Sequence, residues 1–147
     1  MFYTILKHTH SGTRWLLLLF LLVALVSALV KLSGKKEYTK SDKMSAMLAM
    51  SFTHLQLLIG LILYFISGKV VFSGESMQSD LLRFFLVEHI GMMLVAIVLI
   101  TIGYSKIKKA SDSSSKQKRT LIYYGIALII MLAAIPWPWQ QLGAAWF

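Results

Sequence analysis

The chain has 147 residues, of which 57% are hydrophobic and only 14% are charged, whereas a soluble domain carries about 25% charged residues. The absence of cysteine excludes disulfides, thiolate zinc sites and iron–sulfur clusters. The net charge of +9 does not indicate nucleic-acid binding, because the basic residues lie mainly in short segments between long apolar blocks.

The hydrophobic residues form four blocks, at residues 15–30, 44–68, 84–105 and 120–147. Each block with its flanks reaches or approaches the roughly 20 helical residues that span a bilayer. The blocks are apolar on all sides, so their outer faces must meet lipid. We therefore predict an all-α integral membrane protein, a single-domain up-and-down four-helix bundle over residues 1–147.

The first two helices are predicted over about residues 3–32 and 43–67. Lys7 and Arg14 before an apolar run are similar to the start of a signal peptide. The run is long for such a peptide, and Lys31 with the basic segment after it is typical of a stop-transfer sequence. The segment is therefore kept as the first transmembrane helix.

The third and fourth helices are predicted over about residues 78–106 and 116–135, followed by an interfacial tail at 136–147. Ser76 or Ser79 is expected to cap the start of the third helix. Pro136 and Pro138 lack the backbone donor that a continuing helix uses, so the fourth helix should end near Ile135.

The distribution of charge predicts the orientation in the membrane. Eleven of the fifteen Lys and Arg residues lie in two segments, one between the first and second hydrophobic blocks and one between the third and fourth. The positive-inside rule places both segments in the cytoplasm and both termini in the periplasm of a bacterial inner membrane. Four tryptophans fall at the predicted outer boundary, where indole rings favour the headgroup layer: Trp15, Trp137, Trp139 and Trp146.

The four histidines all belong to the predicted helices, where ionisable residues are costly and normally face the bundle interior. His54 and His89 each lie about thirteen residues from the outer end of their helix, which is roughly 20 Å deep. If the third helix starts at Ser79, their depths differ by about 5 Å. Two imidazoles on neighbouring antiparallel helices can bind a haem iron from both sides. We therefore predict a b-type haem with His54 and His89 as iron ligands.

His10 and Arg14 lie four residues apart on one face of the first helix. Arg14 could pair with haem propionates, and His10 is an alternative iron ligand. His10 could instead serve a second haem or a quinone headgroup. The alternative for His8, His10 and Arg14 is that they only extend towards lipid headgroups.

Four further positions support a polar or closely packed interior. Glu88 is expected to pair with Arg14 or Arg83, to orient an imidazole or to carry protons. Gln56 is expected to form an interhelical hydrogen bond, and Gly60 and Gly91 could allow close approach of a helix or a macrocycle.

The sequence resembles a family of small bacterial four-helix membrane proteins described as cytochrome b-like. The matching residues span nearly the whole chain: His10-Ser11-x-x-Arg14-Trp15, Thr53-His54-Leu55-Gln56-x-x-x-Gly60-Leu61-x-Leu63-Tyr64, Glu88-His89-x-x-Met92, Thr101-Ile102-Gly103-Tyr104 and Pro136-Trp137-Pro138. The resemblance implies that His10, His54 and His89 are the functional histidines, without deciding which pair binds iron.

The function expected from these features is membrane electron transfer by haem b, either alone or as the small cytochrome subunit of a larger redox complex. Possible partners are a quinone, other redox subunits or further copies of the chain, and no independent enzyme activity is expected. Two alternatives stay open: a cofactor-free accessory subunit, and a copper-handling protein that uses histidine and methionine ligands.

Overall fold

A computed structural model describes residues 1–140 and residue 142. They form four long antiparallel helices: α1 (Phe2–Ser33), α2 (Lys40–Ile66), α3 (Asp80–Lys109) and α4 (Ser113–Ala134). Short 3₁₀ turns occupy Gly74–Gln78 and Pro138–Gln140. The predicted all-α, up-and-down four-helix bundle is confirmed.

The observed helix bounds differ from the predicted ones by three residues or fewer, chiefly because side chains cap the helix starts. Asp112 accepts a hydrogen bond from the backbone N–H of Ser115 at 2.8 Å, so α4 begins three residues early. At the start of α2 the hydrogen bond has the opposite direction: the carboxylate of Asp42, in the first turn, accepts the backbone N–H of the N-cap residue Thr39 at 2.6 Å. Of the two predicted caps for α3, Ser79 is the one at its N-terminus.

Three helices, α1, α2 and α3, are long and apolar enough to cross a membrane. Large hydrophobic side chains such as Leu19, Phe65 and Val98 are exposed on their outer surfaces, as contact with a lipid bilayer requires. The predicted fourth span, α4, is not among the three, and its first turns carry Lys116, Lys118 and Arg119. The structure thus describes a multi-pass membrane protein with three candidate spans.

Small residues let the helices approach closely in the core. Ala24, Ala46, Ala96 and Ala127 are buried where the helices meet. A β-carbon added at Gly103 in α3 would lie only 2.5 Å from the Tyr123 β-carbon in α4. The packing is close between α1 and α2 and between α3 and α4, and is more open between α2 and α3. This open seam provides space for a cavity.

The start of α3 contains one turn of π-helix, at Phe84–Glu88, directly before His89. Such turns insert one residue into an α-helix and rotate the side chains that precede them relative to those that follow. Here the turn lies directly before a half-buried ionisable residue, and π-turns are frequent in functional sites.

Candidate functional site

A cavity of about 240 Å³ lies at the end of the bundle that carries the N-terminus. It is bounded by α1, α2, the start of α3 and the end of α4, and it is partly open. Most of its wall is apolar, and the polar groups on it include His10, Arg14 and His89. A mostly apolar cavity with a few converging polar groups is the usual form of a cofactor site.

The ring of His89 is held by the end of α4. Its Nδ1 lies 2.7 Å from the carbonyl oxygen of Ala134, and because a carbonyl can only accept, Nδ1 is the donor. In the neutral imidazole this leaves the lone pair on Nε2. A ring with one nitrogen fixed by a carbonyl and the other free is the arrangement found in metal-binding histidines.

The two prolines after α4 explain why this carbonyl is available. In a helix the carbonyl of one residue accepts the N–H four positions later. Pro136 and Pro138, which follow Leu132 and Ala134 by four positions, have no N–H. The Leu132 carbonyl instead accepts the indole N–H of Trp137 at 2.9 Å, and that of Ala134 accepts His89.

His10 meets His89 across the cavity. Their ring centroids are 6.4 Å apart and their planes are inclined by 71°. The Nδ1 atom of His10 is buried without a hydrogen-bond partner. A β-carbon at Gly60 would lie 3.1 Å from Cε1 of this ring, so a larger residue there would require the ring to shift by a few tenths of an ångström. Of the two predicted glycines, Gly60 therefore allows a close approach, whereas Gly91 faces open space.

The separation of the two rings has a chemical meaning. A metal–imidazole bond is about 2.0 Å and the ring nitrogen lies about 1 Å from its centroid, so two rings on opposite sides of one ion have centroids about 6 Å apart. The observed 6.4 Å is close to that spacing, and it also lies within the range of a direct edge contact between two rings. An orphaned buried nitrogen on His10 and an oriented ring on His89 also fit a shared metal centre, such as a haem iron.

The backbone of α1 is fixed at the level of His10. Gln56 donates its side-chain amide to the carbonyl oxygen of His10 at 2.7 Å and accepts the hydroxyl of Thr13. This confirms the predicted interhelical hydrogen bond of Gln56. It also holds α1 against α2 beside the cavity. The backbone of His10 is therefore fixed by Gln56, and its ring packs against α2 at Gly60.

Arg14 lines the same cavity, four residues and therefore about 6 Å deeper along α1 than His10. Its guanidinium carbon lies 5.2 Å from the centre of the Trp15 ring. The structure thus places Arg14 near the two histidines, on the inner side of the pair.

His54 is elsewhere in the bundle. Its Nδ1 lies 2.9 Å from the Met50 carbonyl oxygen, and its Nε2 lies 3.2 Å from the hydroxyl of Thr101 in α3. Thr101 is twelve residues beyond His89, or about 18 Å along the helix. The structure brings His10 to His89 and does not bring His54 to either.

The expectation that His54 and His89 lie at similar depth therefore fails, because it treated the outer ends of α2 and α3 as level. Tyr64, near the end of α2, donates its hydroxyl to the Leu86 carbonyl, seven residues into α3, at 2.9 Å. The first turns of α3 extend past the end of α2, which shifts His89 outwards relative to His54.

Glu88 faces away from the pair of histidines. Its carboxylate accepts the Nε–H of Arg83 at 2.7 Å, and Arg83 also pairs with Asp80 at 2.9 Å. Of the two arginines considered as partners for Glu88, the structure selects Arg83.

Sequence reasoning missed two basic residues on the cavity wall, Lys7 and Lys69. Lys7 lies three residues before His10 and seven before Arg14, so the periodicity of α1 could have placed all three on one face. Lys69 lies in the loop after α2, where no periodicity applies.

Three of the four tryptophans that we expect at the outer membrane boundary belong to the part of the chain that the structure describes. Trp15 and Trp137 have ring centroids 6.5 Å apart, and Trp137 stacks on Trp139 at 4.9 Å. The two segments therefore meet at one level of the bundle. Trp146 and most of the predicted tail after residue 140 lie outside the described residues.

Comparison of the chain with protein-family models, with curated proteins and with solved structures gives no match. The resemblance to cytochrome b-like membrane proteins stays a prediction. Among residues 1–140 and 142, no three His, Asp or Glu side chains form a group that could hold a metal ion.

Proposed function

We propose that this chain binds a b-type haem between His10 and His89 and transfers electrons within a membrane. The observation that carries the proposal is the 6.4 Å separation of the two rings, with Nδ1 of His89 already engaged by Ala134. Two histidine rings on the wall of one mostly apolar cavity would suit a haem that transfers electrons. His54, with protein partners at both ring nitrogens, takes a structural role in this proposal.

Each residue around the cavity has a separate task. His10 and His89 would hold the iron, while Ala134 and Gly60 keep their rings in place. Met93, Leu57 and other apolar side chains on the wall exclude water from the space between the helices. When bound, the haem would supply a one-electron redox centre, which no side chain of this chain provides.

The described residues form one bundle, which supports an electron-transfer component rather than an independent enzyme. Such a component works alone or as the small subunit of a redox complex, with a quinone or another redox subunit as partner.

We also propose four spans with both termini on the periplasmic side of a bacterial cytoplasmic membrane. The up-and-down order puts eleven of the fifteen Lys and Arg residues at one end of the bundle, in two links between helices and the helix turns next to them, as the positive-inside rule requires of a cytoplasmic face.

The haem proposal is tested with three histidine variants purified in detergent from haem-replete cells. His10→Ala and His89→Ala should each lower haem content by about tenfold or more, since loss of a ligand exceeds the 10- to 100-fold effect of losing a ligand's support. His54→Ala is the matched control and should keep both the haem and the Soret band.

Other outcomes would contradict the proposal in distinct ways. A folded, colourless wild-type protein would favour a cofactor-free accessory subunit. Copper in place of iron in elemental analysis would favour the copper-handling alternative. Loss of haem only in His54→Ala would assign the iron to another part of the bundle.

A further inference from the structure

Four basic residues lie at the end of the bundle that carries the N-terminus, and their surroundings differ. Arg83 is engaged by the carboxylates of Asp80 and Glu88 at 2.9 and 2.7 Å. The other three basic residues at this end all line the cavity of His10 and His89: Lys7, Arg14 and Lys69. No Asp or Glu is among the described residues on that wall. A cavity whose described wall carries three cations is suited to an anionic ligand.

Two of these cations, Lys7 and Lys69, belong to neighbouring segments on the outer side of the histidine pair. Lys7 is one helical turn before His10 in α1. The loop that carries Lys69 is joined to α1 by a contact of 3.3 Å between the hydroxyls of Tyr3 and Ser67. Arg14, in contrast, is one turn beyond His10 on the inner side.

The position of Lys69 is defined by its surroundings. Its ammonium nitrogen lies 4.7 Å from the centre of the Phe85 ring and 3.0 Å from the Leu142 carbonyl oxygen. Burial, and after it the nearby charge of Lys7, lower the pKa of Lys69. Two like charges held near each other repel, and an anion between them would relieve the repulsion.

We propose that Lys7 and Lys69 bind the carboxylates of a flat ligand with two acidic groups on one edge, whose body lies deeper at His10 and His89. The inference rests on the proposed function, in which the ligand is haem and the carboxylates are its propionates. It assigns the propionates to the outer pair of lysines rather than to Arg14, which lies on the opposite side of the iron ligands.

The test compares ligands that differ only in their carboxylates. Haem and haem dimethyl ester are titrated into the apoprotein in detergent, followed by absorption. Metal-free protoporphyrin and its dimethyl ester are titrated in parallel, followed by fluorescence. The proteins are the wild type, the double variant Lys7→Gln/Lys69→Gln, Arg14→Gln, and Lys109→Gln as a matched control from the opposite end of the bundle.

The double variant should bind both dicarboxylates about tenfold more weakly or worse, because charge-assisted contacts to carboxylates are lost. Its affinity for both esters should stay that of the wild type, and its haem spectrum should stay that of two histidine ligands. Lys109→Gln should match the wild type throughout.

The outcomes separate this inference from the proposed function. If the His-ligated spectrum forms but the double variant keeps its preference for dicarboxylates, or only Arg14→Gln loses it, the lysine assignment is wrong and the haem function stands. If no His-ligated spectrum forms but metal-free protoporphyrin still needs the lysines, the haem function is wrong and the anion site stands. Equal binding of acids and esters by the wild type would overturn the anion site.

Discussion

A histidine that binds a metal ion needs one ring nitrogen free and the other held in place, and His89 meets both conditions. The Ala134 carbonyl fixes Nδ1 at 2.7 Å, and the ring faces His10 across the cavity. His54 has both nitrogens engaged by protein atoms. The hydrogen-bond partners of each ring, more than the depth predicted for it along its helix, therefore distinguish a candidate ligand from a structural histidine.

At this scale the sequence predicts which residues are unusual but not which of them meet. Histidines in an apolar helix are costly, which identifies His10, His54 and His89 as candidates. Their pairing depends on the offset between α2 and α3, and this offset is set by a loop rather than by any periodic pattern. Lys69 was missed for the same reason, because its neighbours are fixed by tertiary contacts alone.

At the level of the helices, the sequence predicts the elements well because four long apolar blocks leave few alternatives. Their ends were less accurate, since caps such as Asp112 add a turn of polar residues to the apolar segment. The end of α4 was predictable because Pro136 fixes it. The contact that this end of α4 makes with His89 was not predictable, because Ala134 and His89 are 45 positions apart in the sequence.

The contact between α3 and α4 makes a prediction about stability. Gly103→Ala should destabilise the bundle by about 1–3 kcal/mol, as overpacking of a core does. The added carbon would lie 2.5 Å from the β-carbon of Tyr123, which is attached to the backbone and cannot rotate away. Thermal unfolding in detergent measures the effect.

Gly91→Ala in the same helix is the control for that experiment. Nothing lies within 4 Å of a β-carbon at this position, so the unfolding temperature should be unchanged or raised by the better helix propensity of alanine. Equal destabilisation by both variants would mean that α3 and α4 do not meet closely at Gly103.

At the scale of the whole molecule, the arrangement of charge bears on both the proposed orientation and the proposed site. Eleven basic residues lie at one end of the bundle, in the links between helices and in the helix turns next to them, while the other end carries four. Of those four, three line the cavity and one is paired with carboxylates. The basic residues at the sparsely charged end thus belong either to the cavity wall or to an ion pair. Those at the other end follow the positive-inside rule in the proposed topology.

The proposed orientation can be tested because the chain has no cysteine of its own. Single cysteines at Glu75, Ser111 and Gln140 are exposed to a membrane-impermeant thiol reagent added to intact cells. Glu75→Cys and Gln140→Cys should react, whereas Ser111→Cys should react only after the membrane is permeabilised. A protected Gln140→Cys would mean that α4 does not cross the membrane, and the reverse pattern at all three would invert the topology.

The most direct test of a haem held by His10 and His89 is the low-temperature electron paramagnetic resonance spectrum of the oxidised wild-type protein. Ring planes inclined by 71° leave two iron d orbitals nearly equal in energy, so the account predicts a strongly anisotropic low-spin signal, absent from His10→Ala and His89→Ala and kept in His54→Ala. A high-spin signal, a low-spin signal typical of parallel ring planes, or a signal that depends on His54 would contradict it.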